Sequence, residues 1–235
     1  MMATAVDTRD QGAGAHIEGR RSMGHMALHY AKAEEGPLAA RLMEMLGYGI
    51  TQDLLLPNGT HFYRLVVDPR HTPRGDGIVY LSMVPDAQRN LIAAVRDALK
   101  VGTAEQHPAV TEMRRHLDQD PEYSFHYGTL VESLEELEER FLALEGANRS
   151  DPELRGRLRL TYNRALKGDT AVDARLDASP IYGNVDRYAY GRNGVQAFVE
   201  TDILSSGPIG ESMFLEFDYV FPHSTSHVLS VVEYG

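Results

Sequence analysis

A few short stretches of this chain hold side chains whose chemistry stands out from their surroundings. His25 and His29 lie in "GHMALHYA", and His126 lies in "FHYGTLV". Glu216 interrupts the apolar run "MFLEFDYVFP", with Asp218 two places on. Carboxylates are rarely buried without a partner, so a glutamate in such a run either faces solvent or meets something that neutralises it. A single histidine on a strand is ordinarily a hydrogen-bonded structural residue. Histidines gathered with a carboxylate are a donor set for a divalent cation. His223 and His227 in "PHSTSH" have i, i+4 spacing, but Pro222 and the Ser/Thr setting point to a loop or tail. Other chemistries are excluded. With no cysteine there is no disulfide, thiolate metal site or Cys nucleophile. There is no phosphate-cradling GxxxxGK[ST] run. "GESMF" is not a GxSxG nucleophile turn, because Phe214 stands where the second glycine belongs.

The elements that must position these residues are written twice. In "GHMALHYA", His25, Ala27 and His29 alternate with Met26, Leu28 and Tyr30, a strand pattern. Leu38, Leu42, Met45 and Leu46 then form one helical stripe, with Pro37 near its first turn and Gly47 and Gly49 able to end it. Two strand-like runs flank Asn58-Gly59, a strong hairpin signal, and "GIVYLSMVP" supplies a fourth run. The unit reads β-α-β-β-β. The second unit repeats it: "SFHYGTLV", a helix striped by Leu134, Leu137, Phe141 and Leu144, two runs around Asn193-Gly194, and "SMFLEFDYVFP". Asn58 to Ser82 spans 24 positions and Asn193 to Glu216 spans 23. The first histidine and the Asn-Gly pair lie 33 positions apart in one unit and 67 in the other, which predicts an insertion near 147–180. Its middle, 158–166, reads as weakly helical, and an excess of this length is expected to act as a lid or a subunit contact.

The division expected is therefore a flexible arm over 1–21, a first module over 22–85, a helical linker over 86–122, a second module over 123–221 and a tail over 222–235. Within the linker, Leu91, Ile92, Val95 and Leu99 stripe a helix over 86–100, and 101–122 reads as polar. The fold class expected is α+β, two tandem modules forming a cupped mixed sheet with helices outside. A formal charge of −11 argues against nucleic-acid and anionic membrane surfaces. No run of about 18 apolar residues exists to span a bilayer. The polar start lacks the apolar core of a signal peptide, so a cytoplasmic location is expected.

A duplicated unit of this kind resembles the vicinal oxygen chelate superfamily, which holds glyoxalase I, extradiol dioxygenases and bleomycin-resistance proteins. The resemblance covers about 25–220 and rests on "GHMALHYA", "FHYGTLVES" and "MFLEFDYVFP". It implies metal ligands on first and fourth strands, at His25, His126 and Glu216, while Ser82 at the remaining position is no useful ligand. Two histidines and one carboxylate would form a facial triad favouring Fe(II), with Mn(II) or Zn(II) as alternatives. Strand alternation adds His29, Tyr80 and Asp218 as candidates for substrate binding or proton transfer. His61 and Tyr63 share one face of the third strand, and the register leaves that face unassigned. The expected function is an extradiol-type dioxygenase acting on a small phenolic or catecholic compound. The alternatives are a glyoxalase-like isomerase or lyase and a metal-free binding protein. The partners expected are a small-molecule substrate and, in a homodimer, a second copy.

Overall fold

The alternation of "HMALHY" becomes strand β1 (His25–Tyr30), with Leu28 and Tyr30 buried and His25 and Ala27 exposed on the other face. Helix α1 (Gly36–Met45) buries Leu38, Leu42 and Met43 against that apolar face, and Gly47 stops it at φ 101°. Strands β2 (Gly49–Leu55) and β3 (His61–Val66) form the hairpin about Asn58-Gly59, where Gly59 takes φ 79°. Strand β4 (Ile78–Met83) returns between β3 and β1, antiparallel to one and parallel to the other. Two helices follow, α2 (Asp86–Ala98) and α3 (Pro108–Gln119).

The second module is β5 (His126–Leu130), α4 (Leu134–Ser150), β6 (Leu158–Asn163), α5 (Thr170–Asp177), β7 (Gly194–Ser206) and β8 (Glu211–Val220). Again the first and last strands run parallel, β5 beside β8. In this computed structural model, which describes residues 23–68, 70, 76–189 and 191–222, all eight strands belong to one mixed sheet. It is curved and unclosed, in the order β2-β3-β4-β1-β7-β8-β5, with β6 on β7. The modules join where Tyr30 pairs with Leu204 and the Ala31 amide donates to the Ile203 carbonyl at 3.0 Å. Helices α1 and α4 lie on one side of the sheet and share a core, clamped by Arg41 donating to Asp151 at 2.7 and 2.9 Å. The α+β fold of tandem modules is thus the architecture observed. No described helix is long and apolar enough to cross a membrane.

Three local expectations differ from the structure. Residues 158–166 do not form a helix, because 158–163 is β6, paired along its length with β7. Leu158, Tyr162 and Leu166 fit helical spacing, but Leu158, Leu160 and Tyr162 also alternate, and the open edge of β7 selects the strand. The run before Asn193 is consequently not the second strand, and only an isolated bridge joins Tyr188 to Arg164. The segment 147–180 holds the end of α4, β6 and α5, while the stretch without a counterpart in the first module lies between β6 and β7. Its α5 packs on α4, where Arg175 and Ser179 both donate to Glu138. Finally, 101–122 is no plain linker, since α3 occupies 108–119 behind a His107 N-cap. The expected arm over 1–21, along with His223 and His227, lies outside the described residues.

Candidate metal centre

Parallel pairing of β5 with β8 sets His126 opposite Phe214, Gly128 opposite Glu216 and Leu130 opposite Asp218. Across the other edge of β8, β7 sets Phe198 opposite Glu216 and Gln196 opposite Asp218. These side chains share the face turned away from α4, whose Phe141 packs on Phe217 from the opposite side. His126 Nε2 lies 2.9 Å from Glu216 Oε2 and 3.7 Å from Glu122 Oε2. Glu122 sits on the short 3-10 turn Pro121–Tyr123, which is held by its backbone amide donating to the Asp120 carboxylate at 3.1 Å. Glu122, His126 and Glu216 each offer a ligand atom within 4.8 Å of the others, and Glu216 is buried.

Two further groups orient these donors. The Ser124 carbonyl accepts from His126 Nδ1 at 3.0 Å, which leaves Nε2 as the atom facing the carboxylates. The Gln196 amide donates to Glu216 at 2.6 Å and also to Glu122, tying both carboxylates into one fork. A Cβ at Gly128 would stand 3.5 Å from Glu216 Oε2 and 3.6 Å from Asp218 Oδ2, so the bare glycine keeps the sheet open beside the acids. Phe198 meets the His126 ring edge-on at 6.0 Å.

The electrostatics describe a group holding more negative charge than its surroundings neutralise. Burial, and then the charge of Glu216, pushes the Asp218 carboxyl up to about 9. Burial and Glu216 also raise Glu122. His126 is pushed up to about 9, chiefly by its hydrogen bond to Glu216 against a smaller desolvation effect. Protons bound at His126 and Asp218 thus supply the compensation that a divalent cation could supply instead. One imidazole and two carboxylates, oriented by outer partners, fit such a cation.

The other candidates gather elsewhere. His25 is exposed on β1 with its ring 5.2 Å from that of Tyr80, and His29 Nδ1 lies 3.2 Å from Ser82 Oγ. They share the broad face of the sheet with His126, but β7 and β8 stand between β1 and β5. Three strand spacings amount to roughly 14 Å across a flat sheet. His25 is not part of the three-residue donor group. The ladders also revise the match between modules. His25 pairs with Ile78 as His126 pairs with Phe214, so the counterpart of Glu216 on β4 is Tyr80, not Ser82. His61 and Tyr63 stack on the helix side, where His61 meets Asp53 at 2.7 Å and Tyr63 is buried. Sequence reasoning missed Glu122 and Gln196. Glu122, four places before His126, was legible as an E-x-x-x-H spacing, whereas Gln196 carries no signal apart from its pairing with β8.

No family model matches the chain, and no curated protein matches it. Among solved structures it is similar to a protein described as a xylose isomerase-like TIM barrel/4-hydroxyphenylpyruvate dioxygenase fusion protein. The identity is 12% and the TM-score 0.21, over 89% of this chain and 27% of that one. The chain therefore spans about a quarter of that protein's length, and so loose a superposition assigns neither family nor activity.

Proposed function

We propose that this protein is a divalent-metal-dependent enzyme of the glyoxalase and dioxygenase kind, acting on a small molecule that presents adjacent oxygens to a cation held by Glu122, His126 and Glu216. The observation that carries this reading is the convergence of those three donors, each held by an outer partner. When bound there, a divalent cation supplies Lewis acidity towards a carbonyl, phenol or enediol oxygen. Ser124 keeps the Nε2 lone pair of His126 aimed at the cation, and Gln196 keeps the carboxylates from swinging away. Asp218, beside Glu216 where Gly128 leaves the sheet open, would pass a proton to or from a bound oxygen. Gly128 leaves room for that oxygen close to the sheet.

Between the two reactions, proton transfer of the isomerase or lyase kind is the better supported. The extradiol reading asks for His25 beside His126, and two strands separate them. Iron-dependent ring cleavage stays second because carboxylate and imidazole hold Fe(II) as well as Mn(II) or Zn(II). The test is metal analysis of the full chain purified without chelator, followed by titration with each ion. About one equivalent per chain, lost in Glu216→Gln, is the expected result. A Glu216→Gln protein that takes up metal as tightly as the parent would overturn it. Iron with oxygen uptake on catechols would instead promote the second reading.

A further inference from the structure

Along β8 the face that carries Glu216 and Asp218 continues through Phe214 and Ser212, and there its character changes. Helix α3 crosses this part of the sheet, fixed by Arg114 donating to Glu211 at 2.9 Å and by Arg159 pairing with Asp118. Beneath it lies a cavity of about 440 Å³. Its walls include Leu99, Val110, Met113, Leu117, Ile209 and Phe214, so its lining is almost wholly apolar. That volume is in the range of small-molecule sites. The rim is apolar too: Met113 is 40% exposed, Tyr123 67% and Phe125 73%. Large hydrophobics left in water around a concave apolar surface mark a binding site more often than a resting surface.

The cavity and the metal centre are neighbours by construction. Tyr123 and Ser124, which line the cavity, directly follow Glu122 in the chain, and the Ser124 carbonyl holds His126. Phe214 lies opposite His126 in the ladder and two residues from Glu216 on the same face, a step of roughly 7 Å along a strand. A ligand whose oxygens sit at the donors therefore has an apolar space roughly 7 Å away, a reach of about five or six bonds of chain.

Resting on the reading above, we propose that the substrate is amphipathic: a metal-chelating oxygen head at Glu122, His126 and Glu216, carrying an unbranched alkyl or aryl body that fills the cavity under α3. The carboxylate in its lining, Glu211, is already paired with Arg114, so specificity for this body is for length and shape. The head alone binds through the metal, and the body adds affinity in proportion to the apolar surface it removes from water.

The test uses alkyl hydroxamates, which share one bidentate oxygen head, from acetyl to decanoyl, titrated against the Mn(II)-loaded full chain. Affinity should rise about fourfold per methylene and level off once the cavity is full. Met113→Arg, at the rim, should flatten this series while leaving acetohydroxamate binding as in the parent. In parallel, the neutral fluorophore N-phenyl-1-naphthylamine should bind the parent and Glu216→Gln equally, and Met113→Arg weakly. Acetohydroxamate binding with no dependence on chain length would overturn the cavity proposal and leave the metal reading standing. The opposite pattern, in which the fluorophore binds but no hydroxamate does at any length, would overturn the metal reading and the amphipathic substrate built on it.

Discussion

At the scale of single residues, Ser124 orients His126 and Gln196 orients Glu122 and Glu216. A ligand without an outer partner must be oriented at the expense of binding, and loss of such partners costs about 10–100-fold in metal affinity. Gln196→Leu is expected to fall in that range by titration, and Glu216→Gln to exceed it. His25→Ala should leave metal affinity unchanged, and a large loss there would restore the ligand set expected from the resemblance. Protons compete at the same atoms. In protein stripped by chelator, His126 holds its proton up to about pH 9, so a metal binding at pH 7 must expel it. Apparent affinity should climb about tenfold per pH unit for that one proton and flatten above 9. Calorimetry in buffers of different ionisation enthalpy should count at least one proton released per metal, and a count of zero would remove His126 from the site. The same pair bears on the stripped fold. Because its folded value is raised, the His126–Glu216 contribution to stability is complete below the ordinary value of 6.5 and is lost as pH rises through about 9.

At the scale of elements, caps and alternation decide what forms. Helix α4 begins at Ser133, whose hydroxyl accepts from the Glu136 amide at 3.1 Å. Ser133→Ala should cost about 1 kcal/mol in a denaturant titration. An unchanged midpoint would mean that tertiary packing alone defines this helix start. Most of the first module was legible, because its signals are local: the alternation of His25–Tyr30, the stripe from Leu38 to Leu46 and the Asn58-Gly59 turn each satisfy one period only. The second module was less so. Its hairpin is opened by the stretch between β6 and β7, so Asn193-Gly194 opens a strand without closing a tight turn. Leu158–Asn163 is short enough to satisfy both helical and strand spacing, and only its partner on β7 separates them. The site followed the same rule. His126 and Glu216 stood out by type, while Gln196 was placed by register with β8, which no local pattern encodes. His25 owes its expected metal role to the resemblance, and β7 and β8, lying between β1 and β5, separate it from His126.

At the scale of the whole molecule, the two modules share one sheet and one core. Their helices share a core in which Leu42 of α1 and Phe141 of α4 belong to the same cluster and are at most 1% exposed. The Tyr48 hydroxyl at the end of α1 bonds Thr129 on β5 at 2.6 Å, and Arg157, just before β6, donates to Glu35 beside α1 at 2.7 Å. Polar contacts of this kind fix how the modules face each other, but the stability comes from the apolar surface that each covers on the other. Phe141 touches the rings of Phe217 and Tyr162 at 5.7 and 5.8 Å, both in the second module. Removing its ring should cost about 3–5 kcal/mol. If the shared core couples the modules, that loss cannot stay in the second half. Phe141→Ala should lower the single thermal transition of the chain, and hydrogen exchange should show the β1–β4 ladder losing protection along with β5–β8. Two resolved transitions, or a first module whose protection is untouched, would show that the duplication still folds as two independent units. Cutting the chain in the polar turn after α2 sharpens the contrast: residues 1–103 alone would leave Leu42 and Met43 without α4 beside them and should not give a cooperative melt.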